Sequence, residues 1–99
     1  MIFRMRIYQA VPEHASTFTA FFRDYLLPVQ SKHGAVLVGR WLTDDNRFVA
    51  IWRYSSMAEY ERIDAAVSND PDSLSAQTRR RSLPVLFTEM KESFMESAV

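Results

Sequence analysis

The stretch Ala35–Tyr54, AVLVGRWLTDDNRFVAIWRY, limits the possible folds more than any other part of the chain. It reads as two strands joined by the polar segment Thr43-Asp44-Asp45-Asn46, whose side chains suit a tight reversal. On the first strand Ala35, Leu37, Gly39 and Trp41 are expected on one face, with Val36, Val38, Arg40 and Leu42 on the other. On the second, Phe48, Ala50, Trp52 and Tyr54 alternate with Arg47, Val49, Ile51 and Arg53. Both faces are apolar, the pattern of a sheet covered on both sides.

The flanking segments supply the other elements. Ile2–Tyr8 alternates, with Phe3, Met5 and Ile7 on one face and Ile2, Arg4, Arg6 and Tyr8 on the other. Pro12 opens a helix expected over about 13–33, with a stripe of Ala15, Phe18, Phe22, Tyr25, Leu26 and Val29, widened by Phe21. Pro28 lies inside that pattern and predicts a bend, because it cannot donate to the Asp24 carbonyl. Gly34 is placed to end the helix. Ser56-Met57-Ala58-Glu59 fits a capping box, with Glu59 reaching back, and starts a helix expected over about 56–69 that turns Tyr60, Ile63 and Val67 inward. Asp70-Pro71 caps a polar helix over about 71–82, with Leu74 as its apolar anchor. A last strand is expected over about 85–93, with Val85, Phe87, Glu89 and Lys91 opposite Leu86, Thr88, Met90 and Glu92.

With strands over about 2–8, 35–42, 47–54 and 85–93, the order is βαββαβ. This predicts a single α+β domain of ferredoxin-like type, an antiparallel four-stranded sheet with helices on one face. A sheet apolar on both faces then needs a second cover, and a second copy packed sheet to sheet supplies it, so a homodimer is expected.

Composition excludes several functions. Twelve Lys plus Arg balance twelve Asp plus Glu, so no nucleic-acid partner is expected. The absence of cysteine removes disulfides, thiol catalysis and cysteine-held metals. No apolar run reaches membrane-span length, and a cytoplasmic protein is expected. With two glycines only, Gly34 and Gly39, there is no phosphate-cradling loop.

The residues also carry a family resemblance. Ile2–Tyr8, Leu26–Gly34, Leu37–Trp41 and Ile51–Tyr54 resemble, in order and spacing, the opening strand, the helix end and the two central strands of NIPSNAP domains. The resemblance covers Ile2 to about Asp70 and implies a dimeric α+β barrel, without settled catalytic residues. Wider relatives of this fold include small monooxygenases, haem-binding proteins and lactone isomerases. Two positions depart: Arg4 stands where the family commonly has an acid, and Ala50 where a His is frequent.

Candidate site residues are Arg6, Tyr8, His33, Trp41, Trp52 and Tyr54. Arg4, Arg6 and Tyr8 share a strand face; if it meets the partner, the arginines need acids, and Glu89 and Glu92 are the candidates. The structural reading is an ion-pair network that sets the dimer, the functional one recognition of an anionic or phenolic ligand. Trp41, Trp52 and Tyr54 form a core aromatic cluster, or else line a pocket for an aromatic ligand. His14 and His33 lie at opposite ends of one helix, roughly 28 Å apart, so they share no metal within a chain. Gly39 marks a bulge more readily than a ligand space. Arg79-Arg80-Arg81 suits a helix C-terminus facing water. No cofactor and no metal are expected. The leading function is a homodimer that binds a small apolar or aromatic molecule without catalysis. The alternatives are a cofactor-independent or haem-using monooxygenase or isomerase, and a protein-interaction scaffold.

Overall fold

Strand order β2-β3-β1-β4 defines one antiparallel sheet in the computed structural model, which describes all residues from Met1 to Val99. The strands are β1 (Ile2–Ala10), β2 (Val36–Leu42), β3 (Arg47–Tyr54) and β4 (Phe87–Met95). Between β1 and β2 lie a 3-10 turn (Pro12–His14), α1 (Ala15–Phe21), a π-turn (Phe22–Leu26) and α2 (Leu27–Lys32). Between β3 and β4 lie α3 (Met57–Ser68) and α4 (Pro71–Arg81). This is the ferredoxin-like arrangement, with its helices on one face of the sheet.

Pro28 is accommodated by a change of helical register. The Leu27 N–H donates to the Phe22 carbonyl, five residues back, and closes the π-turn. The helix restarts at Leu27, so Pro28 occupies an early position where its missing donor is not needed. The wider turn also lets the adjacent Phe21 and Phe22 both be buried.

Ser56 accepts the Glu59 N–H, as a capping residue does. The Glu59 carboxylate does not reach back; it accepts from the Arg62 guanidinium instead. On α4 the apolar residue Leu74 points to solvent, and the small residue Ala76 is buried.

Two bulges break the strict alternation read from the strands. Register shifts between Leu37 and Gly39, so Leu37, Arg40 and Leu42 pair with the helix-side residues Trp52, Ala50 and Phe48, and Trp41 turns to the open face beside Val49. A second shift pairs Ala10 with Phe87 but Gln9 with Glu89. Phe87 therefore joins Met90 and Glu92 on the helix side, and Glu89 lies on the other face. The bulge expected at Gly39 is present.

The helix-side face carries Ile2, Arg4, Arg6, Tyr8 and Ala10 from β1, and Phe48, Ala50, Trp52 and Tyr54 from β3. It packs in two clusters. One joins Ile2, Phe22, Ala35, Trp52, Tyr54 and Ile63; the other joins Ala10, Phe18, Phe21, Phe48, Ala76 and Leu86. The opposite face carries Phe3, Met5, Ile7, Val49 and Ile51 and has no cover within the chain. No helix is long and apolar enough to cross a membrane.

Candidate ligand site

Between the two clusters the sheet presents a row of different chemistry. Register aligns Arg40, Ala50, Arg6 and Glu92 across four strands on the helix side. Ala50 is small, and the Arg40 head lies against the Phe48, Phe22 and Phe18 rings on the β2 side. On the β1–β4 side the helices do not fill the gap. A cavity of about 320 Å³ remains, lined by Arg6, Tyr8 and Met90 from the sheet and by Phe18, Phe21, Leu26, Val29 and Gln30 from the first helical stretch. The rest comes from Val67, Ser68, Ser73, Ala76, Gln77, Arg80, Leu86 and Phe87.

Its floor is aromatic. The Tyr8 ring meets Phe18 edge-on at 5.3 Å and Phe87 at 4.8 Å, and Phe18 and Phe87 stack at 5.6 Å. Its charge is cationic. Glu92 Oε1 takes the Arg4 Nε directly and lies 3.4 Å from the Arg6 Nε. Arg6 Nε is buried and makes no hydrogen bond. The Arg80 guanidinium sits 4.7 Å above the Phe87 ring. No Asp, Glu or His lines the cavity.

The sequence leaves open whether the Arg4, Arg6 and Tyr8 face meets a partner chain, and offers Glu89 or Glu92 as its acid. That face meets the helices, and its acid is Glu92 of the same chain. Arg6 and Tyr8 come together at the cavity; the other four candidates do not. Trp52 and Tyr54 are buried in the neighbouring cluster. Trp41 is half-exposed on the open face, separated from them by the β2 bulge. His33 Nε2 lies 2.6 Å from Asp70 Oδ2, so this residue ties the end of α2 to the start of α4. Lys32 Nζ joins the same oxygen at 2.5 Å, and Oδ1 accepts the Asp72 N–H at 2.8 Å. Lys32, then the Asp72 N–H and His33, hold the Asp70 carboxyl well below the usual carboxylate range. No cluster of three potential metal ligands occurs.

Sequence reading missed the α4 side of the cavity. Ser73, Ala76, Gln77 and Arg80 recur at three- and four-residue steps and form one helix face. That spacing was available, but the face has no large apolar residue, so Leu74 drew attention instead.

A ferredoxin-like sheet with a cavity under its helices defines the class, and relatives sharpen it. The sequence pattern of the NIPSNAP family matches residues 3–98, and the chain belongs to that family. Among solved structures, it is similar to an uncharacterised NIPSNAP domain protein from Burkholderia xenovorans, with 21% identity and a TM-score of 0.86, covering 99% of this chain and 95% of that one. It is similar also to a NIPSNAP family protein of unknown function from Agrobacterium tumefaciens, with 24% identity and a TM-score of 0.84, covering 99% and 88%. A putative antibiotic biosynthesis monooxygenase from Nitrosomonas europaea shares the fold at 13% identity and a TM-score of 0.69, covering 100% of both chains. No curated protein matches the chain.

Proposed function

We propose that this NIPSNAP domain works as a homodimer that binds a small apolar or aromatic molecule in the cavity and performs no reaction on it. The observation that carries the reading is the cavity itself: about 320 Å³ with an aromatic floor, under helices that leave it unfilled. Pockets of this kind and size accept small organic ligands. The dimer is supported by the open face of β1 and β3, where Phe3, Met5, Ile7, Val49 and Ile51 have no cover within the chain.

The monooxygenase or isomerase reading has a likeness of fold, which is analogy at the level of architecture. The cavity offers no carboxylate or imidazole to move a proton, and neither histidine lines it for haem.

Native mass spectrometry of freshly purified protein, with a denatured control, tests both parts. The expected spectrum is a dimer with a small added mass that is lost on denaturation. A species that is only monomeric removes the dimer. A bare dimer that also fails to enhance N-phenyl-1-naphthylamine fluorescence removes the ligand and leaves an interaction scaffold.

A further inference from the structure

The cavity carries more positive charge than the protein itself neutralises. One carboxylate, Glu92, faces both Arg4 and Arg6 and is engaged directly by Arg4. Arg6 Nε is left buried with no hydrogen-bond partner. Arg80 reaches the same cavity from α4 and forms no ion pair; its guanidinium rests on the Phe87 ring. A buried donor without an acceptor costs free energy, and the cost falls when a ligand supplies one. Guanidinium groups match the two oxygens of a carboxylate. Behind this cationic rim the walls are hydrocarbon and aromatic, including Phe18, Phe21 and Leu86.

We infer that the ligand is a hydrophobic monocarboxylate, an aromatic or branched acid, with its carboxylate held by Arg6 and Arg80 and its body against Phe18, Phe21 and Leu86. The inference rests on the ligand-binding reading above. It adds the anionic group, which an apolar cavity alone does not require. Gln77, one turn before Arg80 on the same helix face, also lines the cavity and adds an amide donor.

Calorimetric titration with 1-naphthoate and with its methyl ester separates the claims, because the two probes share a body and differ in charge. Naphthoate is expected to bind at least about tenfold tighter than the ester, the scale of a charge-assisted bond. Arg80→Gln is expected to cut the preference for naphthoate over the ester at least about threefold, and comparing the two probes on the same variant cancels any change in the cavity wall. Arg80 is an exposed position on α4, so this variant tests the idea even if Arg6→Gln fails to fold. Equal binding of the two probes overturns the carboxylate and keeps the ligand-binding reading. A preference undiminished in Arg80→Gln overturns the assignment of the carboxylate to Arg80, and one undiminished in Arg6→Gln as well overturns it for both arginines. Binding of neither probe overturns both readings.

Discussion

At Arg40 a guanidinium lies over the Phe48 ring, 3.9 Å from its centre, and beside the Phe22 and Phe18 rings at 4.7 and 5.1 Å. Its Nη1 donates to Thr19 Oγ1 at 3.0 Å; its Nη2 is buried without a partner, and no acid pairs with it. Burial pushes this guanidinium down to about 10. The ring faces offset part of the burial cost, but a charge without an acid remains the weaker design. Arg40→Met is expected to raise stability by about 1 kcal/mol in urea unfolding, and a loss of that size would show that the rings hold the charge at a net gain. Because the folded-state pKa is depressed for a base, the charging cost is present below pH 10. The difference between the two proteins should therefore narrow as pH rises above about 10. Asp70 shows the opposite sign. Its folded-state pKa is lowered, so its contribution is full above the ordinary carboxylate value of 3.8 and is lost as pH falls below it. Asp70→Asn should lower the unfolding midpoint at pH 7, and the gap to the parent protein should shrink between pH 4 and pH 2. A gap independent of pH would mean that packing, not charge, ties α2 to α4.

Bulges decide what the strands present. At Gly39 an added Cβ would stand 2.5 Å from the Trp41 ring, so the glycine exists to let that indole fold back along β2. Gly39→Ala should swing Trp41 outward. Its fluorescence should then shift, with about 1 kcal/mol or less lost from the monomer and a measurable weakening of self-association in sedimentation equilibrium. An unshifted emission would show that the backbone moves instead. The same bulge marks the limit of what the residues revealed. Strand order, helix order and the face shared by Phe48, Ala50, Trp52 and Tyr54 followed from periodicity, because each residue of an unbroken strand inherits its side from the last. One extra residue near Val38 reverses that inheritance, and so placed Trp41 and Arg40 on the wrong faces. The second, at Thr88 between Phe87 and Glu89, did the same to Phe87. Of the site, Arg6 and Tyr8 were legible because β1 pairs regularly from Ile2 to Gln9. The α4 face was not: a cavity wall needs small residues, and small residues leave no hydrophobic stripe to read.

At the scale of the molecule the chain is a slab, 36 × 34 × 17 Å, one sheet and one layer of helices thick. Its uncovered face is uneven. Phe3, Met5, Ile7, Val49, Ile51 and the half-exposed Trp41 make the β1–β3–β2 part apolar, while β4 adds Glu89, Lys91 and Ser93. Ile51 is central, flanked in register by Gly39 on β2 and Met5 on β1. If a second copy covers this face, a lysine at that point is buried against hydrocarbon with no acid opposite it on either neighbouring strand, a cost of several kcal/mol. In the monomer the same lysine points to water. Ile51→Lys should therefore sediment as a monomer at concentrations where the parent is a dimer, with unchanged far-ultraviolet circular dichroism. The cavity lies on the helix side of the sheet, opposite that face. The monomeric variant should thus still take up 1-naphthoate with an affinity within about threefold of the parent, less than 1 kcal/mol. A dimeric Ile51→Lys protein would move the interface to another surface. A monomer that no longer binds would mean that dimerisation holds the helices in place over the cavity, coupling assembly to ligand uptake through the sheet that both share.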